Sequence, residues 1–171
     1  MLNKTFSLYV SKLIKPYKKI IQVDSDKSIS IRSFLIGAVS HNVSEVKNVL
    51  ESDDIFSCIN CLRKLGVKID RVKAKHYLIY GKGLGSLYAK KNTVIDCGNS
   101  GTTARLLMGL LSTNPDIQVK IKGDHSLNKR SMRKLVDLMN AFGATFLPQN
   151  KNNFPLTLIS PEIPISVEYK A

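Results

Sequence analysis

The chain has 171 residues, 43% of them hydrophobic and 7% aromatic, with no Trp. That length holds one sizeable domain or a piece of a larger protein, and no apolar run reaches the ~18 residues of a membrane span. Lys and Arg number 26 against 13 Asp and Glu, a net charge of +13, which attracts anions such as nucleic acid or small phosphorylated metabolites. The lysines are nevertheless dispersed, dense only at Lys15–Lys19 and Lys68–Lys75, so most are read as solvated faces.

The first 19 residues, MLNKTFSLYVSKLIKPYKK, carry scattered charges and no small-residue cleavage site. They do not read as a secretory signal, and the cytoplasm is the expected compartment. Apolar periodicity then predicts alternating strands and helices. Lys19–Val23 reads as a strand and Asp26–Val39 as a helix, with Ile29, Phe34, Leu35, Ala38 and Val39 on or near one face. Ser44–Val49 is a short strand. Ser52–Leu65 is a helix with Ser52 as N-cap, Asp53 and Asp54 in its first turn, and Gly66 as C-terminal cap. Val67–Asp70 and His76–Tyr80 read as a hairpin, followed by a loop punctuated by Gly81, Gly83 and Gly85.

The second half runs the same way. Thr93–Asp96 is a strand, Gly101–Ser112 a helix, Ile117–Ile121 a strand and Lys129–Phe142 a helix, with short strands near Ala144–Leu147 and Leu156–Ile159. Gly143 after Phe142 repeats the cap of Gly66 after Leu65, and Arg32 and Arg105 hold equivalent places in the first helix of each half. The chain is therefore an α/β repeat of two βαβαββ units, which share a core. Residues 24–90 form the first unit and 91–171 the second, with 1–23 a leading segment and strand.

Cys58, Cys61 and Cys97 are an odd number, which disfavours a disulfide framework. Cys58 and Cys61 have C-x-x-C spacing without a second pair, and a structural zinc needs about four ligands. Buried thiols on a helix are the expectation, with no metal.

Three segments have the makings of anion sites, each where a loop meets a helix. In Asp26-Lys27-Ser28-Ile29-Ser30-Ile31-Arg32 the helix start offers unpaired N–H groups and partial positive charge. Lys27 adds a point charge, Ser28 a hydroxyl, and Arg32 a fork suited to phosphate or carboxylate; the plain alternative is an N-cap with two solvated cations. In Asp96-Cys97-Gly98-Asn99-Ser100-Gly101-Thr102-Thr103-Ala104-Arg105, two glycines let backbone approach a ligand. The nucleotide and dinucleotide glycine motifs are both absent. In Gly123-Asp124-His125-Ser126-Leu127-Asn128-Lys129-Arg130-Ser131-Met132, Lys129 and Arg130 stand at an expected helix start, where cations oppose the helix dipole; such violations of local preference mark functional positions. No acidic pair suggests acid/base machinery.

Together, DKSISIRSF at 26–34, GNSGTTARLLMGL at 98–110 and GDHSLNKRSM at 123–132 resemble the 5-enolpyruvylshikimate-3-phosphate synthase family, the 3-phosphoshikimate 1-carboxyvinyltransferases. The resemblance runs from about Ile21 to the end. It implies two of the three βαβαββ units that form one lobe of a two-lobed enzyme, which joins shikimate 3-phosphate to phosphoenolpyruvate and releases phosphate without metal or other cofactor. Lys27, Ser28 and Arg32 would hold shikimate 3-phosphate. Lys27, Gly101 and Arg130 would hold phosphoenolpyruvate, and a larger residue at the Gly101 position is associated with glyphosate resistance. Asn99, Thr102 and Arg105 would shape the loop. The partners implied are these small molecules, with no nucleic acid or membrane, and a monomer when complete.

The chain departs from the family pattern at Asp24-Ser25, in place of Pro-Gly, and at Ser131, in place of Pro. Family members are also much longer: the third unit and the C-terminal lobe, with its acid/base carboxylates, are missing here. The expectation is an incomplete part, inactive alone. The rivals are a stand-alone anion-binding fragment, an enolpyruvyl transferase acting on a nucleotide sugar, and a basic nucleic-acid-binding module, which the dispersed lysines and scarce aromatics disfavour.

Overall fold

The structure, a computed structural model, describes Tyr9 and residues 23–168. The expected strand Lys19–Val23 lies outside the described residues except for Val23.

Helix α1 (Lys27–Val39) begins at Asp26, whose carboxylate accepts the Ile29 N–H at 2.6 Å. Its buried face includes Ile31, Phe34, Leu35 and Ala38, while Ile29, expected on or near the face of Phe34, Leu35 and Ala38, is 70% exposed. Strand β1 (Val43–Lys47) follows, and then α2 (Asp53–Lys64). Ser52 stands at the N-cap as expected, but its hydroxyl makes no cap bond and is buried without a partner. The Ser52 carbonyl instead accepts the Ile55 and Phe56 N–H groups. Strands β2 (Lys68–Lys73) and β3 (His76–Tyr80) pair as the expected antiparallel hairpin, and β1 lies antiparallel on the other side of β3.

The second half is β4 (Val94–Asp96), α3 (Gly101–Ser112), β5 (Gln118–Lys122), α4 (His125–Asn128), α5 (Arg133–Ala141), β6 (Thr145–Leu147) and β7 (Leu156–Ile159). The helix expected over Lys129–Phe142 is thus shorter, Arg133–Ala141, and a separate short helix, α4, precedes it where a loop was expected, with Lys129–Met132 between the two. The Met132 N–H bonds the Asn152 carbonyl at 2.6 Å, and Met132 is 2% exposed. A tertiary contact therefore holds the chain out of helical geometry there.

The sheet orders are β1-β3-β2 and β4-β5-β7-β6. Element for element, β5-β7-β6 repeats β1-β3-β2, with antiparallel pairing in both and β4 added parallel to β5. Alternate residues of β3, β5 and β7 point inward, among them Tyr77, Ile79, Val119, Ile121, Leu156 and Leu158. Helices α1 and α2 pack on each other, α3 packs on α5 and β7, and α2 touches both β4 and α3. All the buried apolar residues form one cluster, so the halves share a single core. Phe34 and Tyr77 anchor its first half edge to face, with centroids 5.3 Å apart.

Candidate anion-binding site

At the start of α1, Lys27 Nζ pairs with Asp54 Oδ2 in the first turn of α2 at 2.8 Å, with the side chains 49% and 19% exposed. An ammonium has three donors, so the pair leaves capacity for an anion. Arg32 is exposed; its Nη1 donates to the Ser28 carbonyl one turn back at 3.1 Å. Ser28 is partly buried on the same turn. Asp24 lies in an ion pair with Lys75 at 3.1 Å, which partly offsets the negative charge this residue adds beside the loop.

The second loop joins β4 to α3. Asp96 Oδ1 accepts the Gly98 N–H at 3.0 Å while Oδ2 pairs with Lys122 at 2.8 Å; the Lys122 contact, then the Gly98 bond, hold its carboxyl below the usual range. Gly98 has φ +56, and a Cβ there would lie 2.7 Å from Ser57 Oγ on α2. Asp54 on the first turn of α2 and Ser57 on the next therefore touch the α1 and α3 loops respectively. Ser100, fully buried, caps α3 by accepting the Thr103 N–H at 3.3 Å and donating to Thr103 Oγ1 at 2.8 Å.

The third loop is locked onto the second. Asp124 N–H donates to the Gly98 carbonyl at 2.8 Å, and Asn99 Nδ2 donates to Asp124 Oδ2 at 2.6 Å. Asp124 Oδ1 also caps α4 by accepting the Leu127 N–H at 2.7 Å. The Asn99 bond, then the Leu127 bond, hold Asp124 below the usual carboxylate range. Asn128 clasps Gly123 through two bonds of 2.9 Å. Lys129 is the C-cap of α4, so its charge favours that helix's dipole; the expected conflict at a helix start does not occur.

Of the expected residues, Arg105 and Arg130 meet at Gly101. It is buried, and a Cβ built on it would lie 2.8 Å from Arg105 Nη1, 3.2 Å from Arg130 Nη1 and 3.7 Å from Leu127 Cδ1. Thr102 is partly buried beside it. Among the described residues, no hydrogen bond or ion pair joins Lys27, Ser28 or Arg32 to Gly101, Arg105 or Arg130; the two groups are linked through α2. The sequence presents Asp54 only as a first-turn acid of α2, and Asp124 and Asn128 only as members of the third segment, without the bonds they make here. For Asp124 a signal existed, a cap residue three before the buried Leu127; for Asp54 none did, because its partner is on another helix.

Beneath these loops Cys58, Cys61 and Cys97 are buried, as expected of Cys58 and Cys61 on a helix. Burial pushes the Cys58 thiol up to about 12, and a bond with Cys61 together with burial raises Cys97. Such thiols stay protonated and unreactive.

Paired loops, a close backbone approach and convergent guanidiniums define an α/β module suited to holding small anions. The family model for EPSP synthase (3-phosphoshikimate 1-carboxyvinyltransferase) matches residues 12–169, and the chain belongs to that family. It is 39% identical over 150 residues to the 3-phosphoshikimate 1-carboxyvinyltransferase of Syntrophomonas wolfei, covering 88% of this chain and 34% of that one. With the enzyme of the same name from Novosphingobium aromaticivorans it shares 40% over 157 residues, 91% of this chain and 35% of the relative. EPSP synthase from Acinetobacter baumannii superposes with a TM-score of 0.79 at 31% identity, over 87% of this chain and 34% of that chain. This mixed α/β chain thus matches part of the EPSP synthase fold and spans about a third of the length of the curated relatives it matches. No helix among the described residues is long and apolar enough to cross a membrane.

Proposed function

We propose that this chain carries part of the substrate site of a cytoplasmic 3-phosphoshikimate 1-carboxyvinyltransferase, monomeric when complete. The whole enzyme transfers the enolpyruvyl group of phosphoenolpyruvate to shikimate 3-phosphate. The shikimate hydroxyl adds to the enol carbon as the methylene is protonated; the tetrahedral adduct then expels phosphate and loses a methyl proton to give the enol ether. Lys27, Ser28 and Arg32 hold shikimate 3-phosphate, and Lys27, Gly101 and Arg130 hold phosphoenolpyruvate. Asn99 and Thr102 shape the loop. Two trianionic substrates in one cleft require such cations, whose work is positioning and charge stabilisation. The third unit of this lobe and the second lobe lie outside these 171 residues, and alone the chain binds anions without turnover.

The approach of the Arg130 guanidinium to the bare backbone of Gly101 carries this reading. A methyl group there displaces guanidinium nitrogens now 2.8 Å and 3.2 Å from its position. Gly101→Ala is therefore expected to weaken phosphoenolpyruvate binding, measured by calorimetry, by about tenfold, the scale of one charged hydrogen bond, and glyphosate binding further. An unchanged phosphoenolpyruvate constant removes Gly101 from the site.

A further inference from the structure

Arg105 is placed to grip an anion as well as to brace its own helix. Its Nη1 and that of Arg130 approach one point above Gly101, 2.8 Å and 3.2 Å from where a Cβ would stand. They arrive from different elements, α3 and the α4–α5 connection. Both arginines are exposed, and neither is in an ion pair among the described residues. The carboxylate that acts on Arg130 is Asp124, and its two oxygens already accept from Leu127 and Asn99. Arg105 spends one Nη1 bond on the Gly101 carbonyl at 3.3 Å, a small part of a five-donor fork. Two like charges brought to one point, with Asp124 acting on Arg130 alone and its oxygens already engaged, are favoured further when an anion joins them.

The repeat supplies a second, independent indication. In the first unit Arg32 folds back in the same way, its Nη1 donating to the Ser28 carbonyl four residues before it at 3.1 Å. Arg105 and Gly101 reproduce that arrangement in the second unit. Each first helix thus carries an arginine pinned by one bond, one turn from its loop.

We propose that Arg105 is a second anion-binding residue, closing with Arg130 as a two-guanidinium clamp on the phosphate group of a small phosphate ester seated over Gly101. The proposal rests on the assignment of Gly101 and Arg130 to the phosphoenolpyruvate site, and it changes Arg105 from a loop-shaping residue to a ligand-touching one. Two guanidiniums match a dianionic phosphate better than a single carboxylate, so the clamp also sets selectivity.

The 171-residue chain is titrated by calorimetry with inorganic phosphate, phosphoenolpyruvate and pyruvate, beside Arg105→Ala, Arg105→Lys and Arg130→Ala, with circular-dichroism melts as the folding control. Arg105→Ala and Arg130→Ala are each expected to weaken phosphate and phosphoenolpyruvate binding by about tenfold or more, and to narrow the preference for phosphoenolpyruvate over pyruvate. Arg105→Lys restores only part, because a point charge lacks the fork; should Arg105→Ala melt early, weakened binding by the folded Arg105→Lys stands in its place. Parental affinity in the folded Arg105 variants with loss in Arg130→Ala overturns the clamp and leaves the site standing. Parental affinity in all variants, or no binding of either phosphate probe by the parent chain, overturns both.

Discussion

Glu51 gathers more hydrogen bonds than any other carboxylate among the described residues. Arg71 Nε and Nη2 donate to its two oxygens at 2.9 Å each, the Tyr77 hydroxyl donates at 2.6 Å and the Lys75 N–H at 3.1 Å. The Arg71 contact first, then those from Tyr77 and Lys75, push its carboxyl down to about 2, while burial and Glu51 push Tyr77 up to about 12. A carboxyl depressed in the folded state favours folding above its ordinary value near 4.5. That contribution is lost as pH falls toward about 2. Glu51→Gln is expected to lower the urea midpoint at pH 6 and to flatten its fall between pH 5 and pH 2.5; a variant curve parallel to the parent's assigns the acid sensitivity to other carboxylates. Glu51 could not be read from sequence, since its side-chain partners lie 20 and 26 residues away. The same holds for Asp54 against Lys27. Gly101 and Arg130, by contrast, sit in motifs whose residues are contiguous, and a contiguous pattern is what a sequence displays.

Helix ends explain which elements were legible. Both α2 and α5 close with the same motif: Gly66 N–H bonds the Arg63 carbonyl and Val67 N–H that of Leu62, while Gly143 N–H bonds Asn140 and Ala144 N–H bonds Met139. The glycines have φ +84 and +100, and the flanking Leu62, Val67, Met139 and Ala144 are buried, the double bond and apolar contact of a glycine-terminated helix. Such a stop is written locally, as are the cap of α3 and its bounds at Gly101 and Ser112. The break between α4 and α5 is not, because Asn152 imposes it on Met132 from a strand connection. The exposure of Ile29 was equally hidden: apolar residues of α1 do not segregate to one side, Ile36 being exposed as well, and periodicity alone cannot choose its inner face. The glycines make a graded prediction. At Gly66 a Cβ would meet only Lys82 Cε at 3.9 Å, so Gly66→Ala costs the left-handed backbone alone, about 1 kcal/mol. At Gly143 it would also meet Pro161 Cβ at 3.3 Å. Gly143→Ala is therefore expected to destabilise more than Gly66→Ala in urea titrations, and the reverse order contradicts this account of the two caps.

On the scale of the whole molecule, the acids near the loops are committed to structure. Asp26 caps α1, Asp54 pairs with Lys27, Asp96 with Lys122, and Asp124 holds Asn99 and caps α4. Asp96 and Asp124 are held below the usual carboxylate range, so at neutral pH neither is a proton donor. The three thiols beneath are buried, and those of Cys58 and Cys97 are held protonated. The described carboxylates and the Cys58 and Cys97 thiols around these loops are thus committed to structure, while cations and backbone surround Gly101. General acid–base groups contribute typically ~10²–10⁴-fold, and enclosure between lobes adds alignment and exclusion of water. The relatives are about three times as long as the matched region, which leaves room for both. The purified 171-residue chain, given both substrates, is accordingly expected to release no phosphate above the buffer rate while still binding phosphoenolpyruvate, with affinity falling as salt rises because the contacts are charged and exposed. A coupled phosphate assay beside a Lys27→Ala control checks this. Steady release that requires Lys27 would place a proton-transfer group within these residues and overturn the division of labour argued for the site.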